Sequence, residues 1–122
     1  MDHPKRAEIW LVSLEPVQGS EIGKTRPALL ISNNRNNEFA STITLIPITT
    51  PTSRIYPFEV MVHATNSGLL HDSKIKCNQV RTVDKSRLIK KIGQIPQKYI
   101  KKVEEALLIH LDIESVSFNP VY

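Results

Sequence analysis

The sequence predicts a mainly β domain, a small antiparallel barrel closed off by one C-terminal helix. Three observations carry that prediction. About six short apolar runs follow one another with turn-rich segments between them. No helical pattern separates the runs, which a doubly wound α/β fold would require. Only the last third of the chain shows a helical period. With 122 residues the chain has the size of one domain, 1–122, with a core over 7–112 and a short tail at 113–122.

The runs justify themselves in order. "EIWLVSL" (8–14) is apolar at nearly every position and reads as a well-buried strand. "EPVQGSEIG" (15–23), with a proline, two glycines and two glutamates, reads as a long polar loop with freedom to move. "RPALLIS" (26–32) and "TITLIPIT" (42–49) are β-branched and aliphatic, as strands require. Between them "NNRNNEFAS" (33–41) reads as turn, because asparagine tolerates left-handed backbone. "FEVMVHA" (58–64), "SKIKCNQV" (73–80) and "RLIKKIGQI" (87–95) complete the set. In "PQKYIKKVEEALLIHLDI" Ile100, Val103, Leu107 and Leu111 recur every three or four residues, one face of a helix. Pro96 suits its first turn, where a missing N–H is no loss.

Composition limits the function. Aromatic residues make up 6% of the chain, so Ile, Leu and Val must build the core. No apolar run approaches the ~20 residues of a membrane span, and the charged start Met-Asp-His-Pro-Lys-Arg is unlike a signal peptide. The single cysteine, Cys77, excludes an internal disulfide and fits a reducing cytoplasm; alternating with lysines, it reads as a small core residue in a strand. A net charge of +4 favours polyanionic partners, nucleic acid first and acidic protein segments next. His3, His63, His71 and His110 lack metal-ligand spacing, so no metal or other cofactor is expected. Lys85, Arg87, Lys90 and Lys91 read as a basic face, solvated or generally attractive to RNA rather than specific.

The hairpin of 26–32 and 42–49 carries the first candidate site. With its loop centred on 34–41, directly opposed positions sum to 75: Asn33 faces Thr42, Leu29 faces Ile46, and Arg26 faces Thr49. Opposed residues share a face with Cβ atoms ~5 Å apart, so the open end presents a cation beside a hydroxyl. Pro27 and Pro47 restrict the backbone next to both. Ser73, Gln79 and Arg81 are candidates for reading bases or holding phosphates, with strand hydrogen bonding as the plainer role of Ser73 and Gln79.

The stretches "EIWLVSLEPVQGSEIGKTRPALLISNN", "LIPITT" and "DSKIKCNQVRTVDKSRL", followed by the amphipathic helix, resemble the MazF/PemK toxins of bacterial toxin–antitoxin systems. The resemblance implies an SH3-like barrel, a homodimer, and a sequence-specific endoribonuclease that cuts single-stranded messenger RNA without a metal. It places the catalytic arginine on Arg26 and the catalytic threonine on Thr49, with Glu21 as a possible support. Lys24, Thr25 and Thr50 border those positions and join the RNA-binding candidates. The implied partner is a MazE-like antitoxin with a flexible acidic tail, and operator DNA is met only through it. Relatives open the first strand with Gly-Asp where this chain has Ala7-Glu8. The alternatives are a CcdB-like toxin that poisons gyrase without cutting, and a decayed toxin that only binds an antitoxin.

Overall fold

A computed structural model describes residues 3–114, so most of the tail read at 113–122 lies outside the described residues. The chain runs β1 Glu8–Ser13, β2 Thr25–Leu30, α1 Asn34–Phe39, β3 Thr42–Thr49, β4 Glu59–Val62, β5 Ser73–Lys76, β6 Arg81–Asp84, β7 Leu88–Gln94 and α2 Gln97–His110. The seven strands form one antiparallel sheet in the order β4-β5-β3-β2-β1-β7, with β6 also on β3. The mainly β class with a terminal helix is as the sequence predicts.

Strand β3 organises the sheet. Its one edge pairs with β2, as Ala28↔Pro47, Leu29↔Ile46 and Leu30↔Leu45. Its other edge takes β6 along Thr42 to Leu45, and β5 at Ile48 and Thr49. One continuous strand over 73–80 cannot serve both halves. Instead a three-residue 3₁₀ turn, Cys77–Gln79, interrupts it, and a separate strand, β6, follows at Arg81–Asp84. Cys77 is the reason for the break: its N–H bonds to Phe58 O at 3.1 Å while its side chain is fully buried. It is a core residue, in a turn rather than a strand.

No strand ladder joins β4 to β7 among the described residues, so the barrel does not close by hydrogen bonding. It closes by contact. Gly68, at φ +86, and Gly93 bring the loop after β4 against β7 so tightly that a methyl group on either would strike the Ile92 or the Ser67 carbonyl.

The two sheet faces carry separate cores. One joins Ile9, Leu29, Ile46, Ile48, Val60, Val62 and Ile75 to α2 through Tyr99, Ile100, Val103 and Ala106. Leu107 packs at its margin, whereas Leu111 follows the last helical residue and is 52% exposed. The apolar face is therefore rotated toward Tyr99 and Ala106, and Pro96 stands at the N-cap, one residue ahead of the helix. The other core is Val12, Leu14, Ala28, Leu30, Ile43, Leu45 and Val83, with Trp10, Ile22 and Leu88 packed against it.

The Asn-rich stretch is a short helix, α1, and not a turn. Asn33 caps it by accepting from Asn36 N at 2.8 Å, and Asn37 is fully buried. The replaced glycine also has a visible effect. Ala7 holds φ +77, a left-handed conformation that glycine adopts at no steric cost.

Candidate active site

The β2–β3 ladder keeps the register in which opposed positions sum to 75, and its last pair toward the open end is Ala28↔Pro47. Pro27 and Pro47 have no N–H to offer, and the β2–β3 ladder stops there, while the opposite edge of β3 goes on with β5 at Ile48 and Thr49. Two residues past the last pair stand Arg26 and Thr49, at the mouth where the strands part. Both are half-buried. Arg26 Nε donates to Gly23 O at 2.9 Å, which fixes the guanidinium plane. Among the described residues its two terminal nitrogens have no acceptor, and the Thr49 hydroxyl has no partner. A planar cation with two open donors beside an open hydroxyl can bind a phosphate in bidentate fashion.

The loop over 14–24 lies against Arg26 and is held in place, contrary to the freedom its composition suggests. Leu14 N donates to Lys24 O at 2.9 Å, and Lys24 N to Glu15 Oε1 at 2.6 Å. Ile22 is gripped on both sides: its N–H donates to Gln79 Oε1 at 3.3 Å, and its carbonyl accepts from Arg81 Nη1 at 3.3 Å. Arg81 Nη2 donates to Leu14 O at 2.9 Å, and Arg87 Nη1 to the carbonyls of Ser13 and Glu15. These grips come from residues 57 or more positions away in sequence, so no local reading of 15–23 could reveal them. Gln79 and Arg81 thus hold the wall beside Arg26. Glu21 Oε1 accepts from Gln18 N at 2.6 Å and sits exposed at the tip of the loop.

The remaining candidates fall in two places. Lys24 and Thr25 are exposed just ahead of Arg26, with Lys24 at φ +66. Thr50 and Ser73 line a groove of about 570 Å³ together with Leu11, Pro27, Leu70 and Ile92. Ser73 is buried, and its hydroxyl donates to His71 O at 2.8 Å. The basic face read at 85–91 is largely engaged: Lys85 Nζ donates to Glu38 O, and Lys91 pairs with Glu8 at 3.0 Å. Lys90 lines the groove.

Two buried carboxylates flank this region. Burial pushes Glu8 upward, but hydrogen bonds from Trp10, the Lys5 N–H and Lys91 outweigh it and leave the group below its ordinary value. Glu59 follows the same balance: burial raises it, and the Tyr56 N–H together with the Lys76 and Lys74 ammonium groups lower it further than that. Sequence reasoning passed over Glu59 and Lys74; their signal was a glutamate and two lysines, Lys74 and Lys76, on one face of adjacent strands, opposite the face of Val60, Val62 and Ile75 that enters the core. Burial, then the nearby Glu59 charge, pushes the Cys77 thiol up to about 12, which removes it as a nucleophile. No group of three His, Cys, Asp or Glu side chains among the described residues could hold a metal ion, and no described helix is long and apolar enough to cross a membrane.

Residues 5–111 match the family model of the PemK-like, MazF-like toxins of type II toxin–antitoxin systems. The chain belongs to this family. Endoribonuclease MazF9 of Mycobacterium tuberculosis is 39% identical over 116 residues, spanning 91% of this chain and 98% of its own. Endoribonuclease EndoA of Bacillus subtilis is 39% identical over 108 residues, spanning 88% of this chain and 93% of its own. Among solved structures, MazF of Deinococcus radiodurans superposes with a TM-score of 0.82 at 24% identity, over 93% of this chain and 100% of its own. The M. tuberculosis toxin MazF-mt6 does so at 0.76 and 27%, over 88% and 99%. A Mycobacterial endoribonuclease of the same fold, 20% identical with a TM-score of 0.76 over 93% of this chain and 99% of its own, was solved in complex with its cognate antitoxin. The resemblance read from the sequence is borne out.

Proposed function

We propose that this family member is a sequence-specific endoribonuclease toxin that cuts single-stranded messenger RNA, with Arg26 and Thr49 as the catalytic residues. The observation that carries this is the pair of open donors on Arg26 at the same end of the hairpin as the open hydroxyl of Thr49, while at the other end Ser32, Asn33 and Asn37 bond within the fold. That MazF9 and EndoA are named endoribonucleases favours cutting over gyrase poisoning or mere antitoxin binding.

The chemistry uses the substrate's own nucleophile. The 2′-hydroxyl loses its proton and attacks phosphorus, the bond to the 5′-oxygen breaks, and that oxygen gains a proton. The products are a 2′,3′-cyclic phosphate and a 5′-hydroxyl, and the step needs no metal ion. Arg26, with a pKa above ~12, stays charged and stabilises the negative charge that builds on the phosphate oxygens. Thr49 orients the 2′-hydroxyl or relays its proton. Lys24, Thr25 and Thr50 continue the strand's path. Glu21, Ser73, Gln79 and Arg81 shape its walls, the last two through the loop they hold.

The partners follow from charge and exposure. Leu70 is 90% exposed at the rim of an apolar groove, and a twofold partner covers both, giving a homodimer of twice 13.8 kDa by sedimentation. The net charge of +4 suits an acidic antitoxin tail that competes with RNA and supplies any contact with operator DNA. The cytoplasm, where messenger RNA is found, is the place of action.

The test is incubation of the purified chain with RNA in EDTA, followed by mapping of the new ends. Cleavage at one short sequence, leaving 5′-hydroxyl ends, is expected. Intact RNA, or 5′-phosphate ends, would overturn the reading.

A further inference from the structure

Thr49 has a second cation on its other side. Across the β3–β5 ladder its Cα partner is Lys74, and directly opposed residues share a face ~5 Å apart. Thr49 therefore lies on β3 between Lys74 on β5, its ladder partner, and β2, which carries Arg26 two residues beyond the last β2–β3 pair.

Lys74 is held rather than waving in solvent. Its side chain is 11% exposed, and Nζ donates to Arg54 O at 3.1 Å and to Glu59 Oε1 at 3.3 Å. The Glu59 side chain is fully buried and also accepts from Tyr56 N at 2.9 Å. Lys76 Nζ stands 2.9 Å from its other oxygen, off the hydrogen-bond axis. The cluster thus contains one carboxylate and two ammonium groups. Lys76, the nearer, balances Glu59, and one positive charge is left over beside Thr49. Buried charges persist when they are paired, and no second carboxylate faces this cluster among the described residues. An ammonium also has three donors. Two are engaged, and the third has no acceptor among the described residues.

Resting on the reading of Arg26 and Thr49 above, we propose that Lys74 is a second phosphate ligand of the site, binding the RNA backbone phosphate next to the one that is cut. Its ties to Arg54 and Glu59 aim the ammonium, so that the strand is held on both sides of the scissile bond. A lysine suits this role as a compact point charge, while the arginine meets the reacting phosphate in two-point fashion.

The probe is an oligonucleotide carrying the cleavage sequence with a single 2′-deoxy sugar at the cut, which binds without reacting. Its affinity is measured against salt concentration for the unaltered chain, Lys74→Gln and Lys74→Arg. Each phosphate contact on a single strand contributes about 0.7 to the slope of log affinity against log salt. Lys74→Gln keeps donors for Glu59 and Arg54 and should lose about that much slope, with Lys74→Arg restoring it. An unchanged slope in a folded Lys74→Gln chain would overturn the proposal. Should that variant not fold, the unaltered chain decides: neutral methylphosphonate links placed one at a time should weaken binding at the cut and at one adjacent position. Weakening at the cut alone would overturn it. In either case RNA cleavage by the unaltered chain keeps the Arg26–Thr49 reading standing, and its absence removes both.

Discussion

At the closed end of the β2–β3 hairpin, polar side chains meet one another. Asn33 caps α1, and Asn37 accepts from Ser32 Oγ while donating to Ser32 O. Ser32 Oγ in turn accepts from Thr44 N, and Asn34 accepts from Arg6 N. At the open end the same two strands present Arg26 and Thr49, whose terminal guanidinium nitrogens and hydroxyl have no such partners among the described residues. Residue types alone do not separate the two ends, since both are rich in hydrogen-bonding groups. What differs is completion. A polar group satisfied within the fold contributes stability, and one held in place but left unsatisfied is available to a ligand.

The largest effect that could break this comparison is on cleavage. Arg26→Ala should slow cutting ~100-fold or more, the scale of one lost transition-state donor, with the urea midpoint nearly unchanged. Thr49→Val, which keeps the shape and removes the hydroxyl, should also slow cutting without loss of stability. A parental rate in Thr49→Val would make that residue a strand filler. The closed end should respond the other way. Asn37→Ala leaves Ser32 without its buried partner and should cost about 1–3 kcal/mol of stability, measured by urea unfolding, while the folded fraction cuts RNA at the parental rate.

The smallest effect sharpens the same contrast. Ala7 lies at the closed end, its N–H bonded to Leu30 O at 2.9 Å, in a conformation that costs an alanine about 1–2 kcal/mol. Glycine would relieve that strain but lose backbone entropy of about 0.5–1 kcal/mol. Ala7→Gly should therefore raise stability by about 1 kcal/mol or less and leave cleavage unaltered. A clear loss of stability would show that the left-handed turn is not strained.

Much of this contrast was legible in the sequence, and the missing parts have physical causes. The hairpin register followed from two apolar runs and a loop of known length, because a slip of one residue would turn each strand inside out. Arg26 and Thr49 came with it. The helix Asn34–Phe39 was missed because asparagine favours turns locally, while the buried place of Asn37 depends on its bonds with Ser32, which is itself tied to Thr44 across the hairpin. The break at Cys77 was hidden for a related reason: β5 and β6 share one apolar pattern but serve different halves of β3. The hold of Gln79 and Arg81 on the 14–24 loop is long-range, so composition could report the loop's polarity and not its restraint. Helix α2 was found by its period, yet Tyr99 and Ala106 replaced Leu111 on the buried face because the helix stops at His110.

The central claim is that Arg26 and Thr49 hold the phosphate, stabilise its developing negative charge and prepare the 2′-hydroxyl, and that the attack comes from the substrate. One measurement tests it most directly. An RNA carrying the cleavage sequence is compared with the same strand lacking a single 2′-hydroxyl at the cut, each with the unaltered chain in excess. Affinity should be nearly equal, because phosphate contacts dominate binding, and the deoxy strand should remain whole while the parent is cut. Cleavage of the deoxy strand at that position would contradict the account.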